Sequence, residues 1–157
     1  MKTRTWKPYL LWTVLAEAVG ALSGWLTREG MRLFKTEALK PPLTPPGFVF
    51  PVVWALLFAL MGAGAARVYL TPPSRERRRS LALFAVQLAL NFFWSILFFN
   101  LRRYGLAFFW LTALWGLILW MTLSFRRVDS PAGWMQLPYL LWTAFAAYLN
   151  LGVWVLN

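Results

Sequence analysis

Trp54, Trp94 and Trp142 lie inside long apolar runs of a 157-residue chain that carries eleven tryptophans. Trp6 and Trp134 sit at run edges, where indoles commonly anchor a membrane boundary. The inner three need another account. An indole offers a flat apolar face and a single N–H donor, which suits recognition of a flat apolar ligand. Trp54 belongs to a stripe with Phe50, Phe58 and Met61, a pattern that usually means packing. Trp94 shares a helical face with Gln87, Asn91, Ser95 and Phe98. Amides in hydrocarbon need partners, so this face looks inward, either as interhelical glue or as the polar wall of a cavity. Spacing alone leaves both open. Trp142 shares a face with Ala146 and Leu149, with the amide of Asn150 nearby.

The absent residue types narrow the chemistry further. The chain has no His and no Cys, which removes thiolate chemistry, disulfides, Cys/His zinc sites and a His-ligated haem iron. Its acids are Glu17, Glu29, Glu37, Glu76 and Asp129, too scattered for a carboxylate cage. No nucleophile–base pair is evident, so no catalytic residue, no metal site and no required cofactor is expected. Glu17, near the middle of the first apolar run, is an intramembrane acid and a functional candidate by type. Without a second mid-span acid it makes no proton relay, and a protonated or hydrogen-bonded structural role is expected. Arg67 is expected to snorkel to the headgroups.

The elements that must position these residues follow from composition. The hydrophobic fraction is 60%, more than a soluble domain of this length can hide. An all-α integral membrane bundle in one domain is expected, with spans at about 9–27, 47–70, 81–100, 104–125 and 134–156 and a lid loop at 28–46. The basic N-terminus runs to Arg28 without a small-residue cleavage site, so no cleavable signal peptide is expected. The net charge of +11 sits at span edges, which points to the lipid bilayer and not to nucleic acid. Ten basic residues (Lys2, Arg4, Lys7, Arg67, Arg75, Arg77, Arg78, Arg79, Arg126, Arg127) lie on one side and six (Arg28, Arg32, Lys35, Lys40, Arg102, Arg103) on the other. The excess predicts a cytoplasmic N-terminus and an outer C-terminus. Gly62 with Ala66, and Gly20 with Gly24, are small pairs that let helices approach closely.

Lys40, Pro41, Pro42, Pro45 and Pro46 read as a stiffened lid leading into the aromatic stripe, with Pro51 expected to kink the second span and Pro138 to bend or begin the main segment of the fifth. Lys40-Pro41, Pro45-Pro46, Phe50 and Trp54 together resemble a signature of the tryptophan-rich sensory protein and translocator protein family (TspO/MBR). Asn91-x-x-Trp94-Ser95 with Phe98-Phe99 is similar to its third-span motif, and Pro138-Tyr139-x-x-Trp142 with Phe145-Ala146 and Leu149-Asn150 to its fifth. Gly20 to Gly24 is a weaker echo.

The resemblance implies a five-helix bundle, a homodimer in a bacterial cell membrane, and a cavity roofed by the first loop. It implies binding of porphyrins or other hydrophobic heterocycles in a sensory, regulatory or carrier role. The pocket wall would be Phe50, Trp54, Phe58, Asn91, Trp94, Ser95, Leu111, Trp142, Ala146 and Leu149, with Leu111 placed by alignment. The alternatives it leaves open are light- or oxygen-dependent tetrapyrrole degradation through Trp54 and Trp142, and passive transport. The chain departs from the family in three places. Phe34-Lys35 stands where a Trp-Tyr pair is common, an acid of the fourth span is replaced near Trp110, and no base follows Tyr148, so sterol recognition is not expected. Lys40 is the basic residue expected to attract acidic groups of the ligand.

Overall fold

A bilayer offers no water to pair with backbone groups, so a spanning segment must satisfy its own, and a helix does so. In a computed structural model, which describes residues 6–157, the chain forms α1 (Trp6–Leu26), α2 (Arg28–Glu37), α3 (Val49–Tyr69), α4 (Arg75–Ser95), α5 (Tyr104–Val128), α6 (Ser130–Trp134) and α7 (Leu137–Leu156). No strand occurs among the described residues. Five helical segments are long and apolar enough to cross a membrane: α1, α3, α4 with a π-helical turn at Ile96–Asn100, α5, and α6 continued by α7.

Local chemistry sets the boundaries. The Ser74 hydroxyl accepts from the Arg77 amide at 3.0 Å and starts α4. That start precedes the expected edge at residue 81, because the arginines of 75–79 are good helix formers that a hydropathy count excludes. Pro51 occupies the first turn of α3. Its missing N–H would have no partner there in any case, so the expected kink has no cause. Pro138 lies in the first turn of α7 and begins the main segment of the fifth span.

The largest departure is in the first connection. Residues 28–37, expected as part of an irregular lid, form helix α2. The charges that broke the apolar run build an amphipathic helix, and Arg32 Nε donates to both oxygens of Glu29 at 3.2 Å, one turn away. That hydrogen bond, with the guanidinium charge, holds the Glu29 carboxyl below its ordinary range.

Close packing joins α1 to α3, α4 to α5 and α5 to α7, with α1 also against α4. The α1–α3 contact depends on Gly62, where a Cβ would lie 2.5 Å from Thr13 Cα. Gly24, by contrast, faces open space. The arrangement closes between α3 and α7, whose backbones meet only sparsely. Aromatic side chains fill that seam.

Arg67 does not simply reach for headgroups. Its Nε donates to Asp129 Oδ2 at 2.6 Å and its Nη2 to Oδ1 at 3.3 Å. The same carboxylate accepts from the Ala132 amide at 3.1 Å and caps α6, so one acid ties α3 to the start of the fifth span. Glu17 is half-buried and forms no hydrogen bond among the described residues, so of the two structural roles expected of it the hydrogen-bonded one has no partner here.

Candidate functional site

The aromatic wall grows from the seam between α3 and α7. Phe50, in the first turn of α3, meets Trp142 edge-to-face at 5.9 Å between ring centroids. One turn on, Trp54 lies 5.6 Å from Phe58 and 6.2 Å from Tyr139. Phe58 and Leu111 are buried in the central core, and Trp54, Trp94, Trp142 and Ala146 pack against it half-buried. Leu149 is buried further along α7, and Ser95 is half-buried on α4 with no hydrogen-bond partner among the described residues. The inner indoles therefore turn inward. Their rings rest on neighbouring phenylalanine and tyrosine rings and on the core. The wall residues border neither of two surface cavities, one of about 250 Å³ beside α2 and one of about 550 Å³ along α1.

The two readings of the α4 polar face separate here. Asn91 Nδ2 donates to the Tyr139 hydroxyl at 2.6 Å, and that hydroxyl donates to Gln87 Oε1 at 2.8 Å. Trp94 Nε1 donates to Asn150 Oδ1 at 3.0 Å, and Asn150 Nδ2 donates to the Tyr104 carbonyl at 2.9 Å. Gln87, Asn91, Trp94 and Asn150 are thus interhelical glue joining α4 to α7 and α5. Tyr139, buried throughout, is the centre of the first of these two sets, bonding Asn91 and Gln87. In the sequence it stands within a motif and carries no role of its own. The available signal was a tyrosine at depth, whose hydroxyl must find a partner, in a chain with two amides a turn apart on another span.

The indole N–H groups of the bundle fall into two sets, paired and unpaired. Trp110 and Trp115 donate to the carbonyls of Leu90 and Leu140 at 2.8 and 3.0 Å. Trp142 Nε1 is buried with no acceptor, as is Trp12 Nε1 on α1. A buried donor left unpaired costs about 1–3 kcal/mol. Trp142 therefore presents an unused hydrogen bond at the loosest seam of the bundle.

The loop from Ala38 to Phe48 is fastened along the C-terminal half of α7. The Asn157 side chain pairs with both backbone groups of Leu39, accepting at 3.1 Å and donating at 2.8 Å. The Tyr148 hydroxyl donates to the Pro42 carbonyl at 2.8 Å. Gly152 lets Pro41 lie against α7, since a Cβ there would come within 2.4 Å of the proline ring. Leu43 adopts a positive φ of 71° between the prolines, and the Thr44 hydroxyl closes the turn onto the Pro41 carbonyl at 2.6 Å. Pro41 is buried, while Pro45 is half-buried and Pro46 exposed. Lys40 does not face the seam. Its ammonium donates to the carbonyls of Phe34, Lys35 and Ala38, each at 3.2 Å, and so finishes α2. Phe34, at the place of the Trp-Tyr pair, keeps an aromatic contact with Phe98 and Phe99 at 5.3 and 5.5 Å.

A model of the TspO/MBR family matches residues 12–155. The chain is 37% identical to the tryptophan-rich protein TspO of Chlorobaculum tepidum over 91% of each chain. It is 36% identical to the translocator protein of Ovis aries, over 95% of this chain and 89% of the relative. Against the tryptophan-rich sensory protein of Cereibacter sphaeroides it is 35% identical over 75% of this chain and 73% of that one.

Proposed function

The chain belongs to the TspO/MBR family, and from that premise we propose that it binds a flat hydrophobic heterocycle of the porphyrin type at the seam between α3 and α7. The carrying observation is the buried, unpaired N–H of Trp142. An acceptor on a ligand would relieve its cost, while the faces of Trp142 and Trp54 provide stacking area. Admission of a flat ring requires Phe50 and Trp142 to part. Such an edge-to-face pair is worth about 0.5–1.5 kcal/mol, which a stacked macrocycle can replace. The fastened loop keeps the outer end of the seam in place while the rings move. Ser95 is a second polar group open to a ligand, whereas Asn91 is committed to Tyr139.

The membrane-embedded bundle acts in this reading as a binding protein with a sensory, regulatory or carrier role, as a homodimer with the more basic side in the cytoplasm. Titration with protoporphyrin, followed by tryptophan fluorescence, tests it. Trp142→Phe keeps the ring and removes the donor, and is expected to weaken binding roughly five-fold, the worth of one net hydrogen bond. The Trp54→Ala, Trp142→Ala double variant is expected to lose binding. Affinity unchanged in both would overturn the proposal.

A further inference from the structure

The cavity of about 550 Å³ lies on the membrane-facing side of α1, away from the α3–α7 seam. Leu10, Leu11 and Val14 form its floor, Trp6 and Tyr69 border it, and Lys7 is the charged residue in its lining. The floor side chains are all more than half exposed, so no part of the described chain covers them. We propose that this groove is a binding site for one anionic phospholipid, its acyl chain along the leucine floor and its phosphate at Lys7.

Three observations fit that occupant. From Trp6 to Val14 the groove runs eight residues, about 12 Å at 1.5 Å per residue, against roughly 15 Å for half of a 30 Å hydrocarbon core. It begins at the end of α1 where the chain gathers most of its basic residues, and a lysine stem can lie on apolar surface while its ammonium stays at headgroup level. The charged side chains placed at the mouth, Lys7 in the lining and Arg77 against Tyr69, are both cations. The Arg77 guanidinium sits 4.9 Å over the Tyr69 ring, its Nε and Nη2 held by the Tyr69 carbonyl at 3.1 and 2.9 Å. Glu76, next to Arg77 in sequence, pairs with Arg79 at 3.4 Å. Zwitterionic lipid could fill the floor, but only an anionic headgroup gains from the cations.

Native mass spectrometry of the full chain in detergent tests the site, with added dioleoyl phosphatidylglycerol and dioleoyl phosphatidylcholine, which share the same acyl chains. One phosphatidylglycerol is expected to be retained in preference to phosphatidylcholine. Lys7→Gln is expected to lower its retention roughly five-fold, the effect of one basic residue near an anionic surface, and to leave phosphatidylcholine unchanged. Val14→Trp fills the floor from an exposed position, so the fold should persist by circular dichroism while retention of both lipids falls. Equal retention of the two lipids by the unaltered chain would overturn the proposal, as would phosphatidylglycerol retention that ignores both variants. Displacement by equimolar glycerol phosphate would reassign the mouth to a free anion. A dimer lost in Val14→Trp with lipid retention intact would reassign the groove to a second copy of the chain. Either result sinks the lipid site.

Discussion

Tyr139 holds two amides with one hydroxyl, accepting from Asn91 and donating to Gln87. Each bond satisfies a group that would otherwise sit unpaired in the bundle interior. Tyr139→Phe removes the hydroxyl and keeps the ring, so packing against Trp54 survives while Asn91 Nδ2 and Gln87 Oε1 lose their partner. A loss of about 1–3 kcal/mol is expected for each group left buried and unpaired, read as a lowered midpoint of thermal unfolding in detergent. Asn91→Leu in the Tyr139→Phe background should recover part of that loss, since replacing both partners removes the orphan as well as the bond. No recovery would mean the amide serves something other than Tyr139. Asn91 was visible in the sequence as an inward-facing amide, but its partner lay 48 residues away on another span. Periodicity assigns a residue to a face and does not say which helix that face meets.

At the scale of elements, Asp129 sets where the fifth span begins, and that span divides into α6 and α7 at Met135 and Gln136. The carboxylate caps α6 and also holds Arg67 of α3. Asp129→Asn keeps an oxygen for the cap and gives up the charge, whereas Asp129→Ala gives up both. The pair is partly exposed, so the Asn variant is expected to cost less than about 1 kcal/mol and the Ala variant about 1 kcal/mol more through the lost cap. Equal unfolding midpoints for the two variants would remove the capping role. The loop offers a separate check. Asn157→Ala frees the Leu39 amide, and its hydrogen exchange should quicken together with that of neighbouring loop residues, leaving the core of α3 protected. The five spans were legible because an unbroken apolar run of about twenty residues matches the thickness of a bilayer and exceeds what a small soluble core can cover. α2 was not, since Arg28, Glu29, Arg32 and Lys35 lower its hydropathy while improving its helix. The prolines of the loop predicted a stiffened lid, but the residues that fasten it, Tyr148, Gly152 and Asn157, sit at the far end of the chain on α7 and its terminus.

At the scale of the whole molecule, the spans, the seam and the groove acquire a direction only from charge. Among the described residues eight basic side chains sit at the end of the bundle that holds Arg67 and Asp129, and six at the end that holds α2 and Asn157; Lys2 and Arg4, also expected at the first end, lie outside the described residues. Glu76 and Asp129 offset the first set, Glu29 and Glu37 the second, each within a salt bridge. Pairing therefore leaves the excess of two basic residues among those described intact, and acids carry little weight in orientation anyway. The chain contains no cysteine, so single substitutions report cleanly. Ser130 at the start of α6 and Thr36 in α2 are exposed at opposite ends. With a membrane-impermeant maleimide on intact cells, Thr36→Cys is expected to label and Ser130→Cys to label only after permeabilisation. The reverse pattern would put the fastened loop in the cytoplasm. It would also move the Lys7 groove to the outer leaflet, where the cytoplasmic leaflet's anionic lipids are not available to fill it.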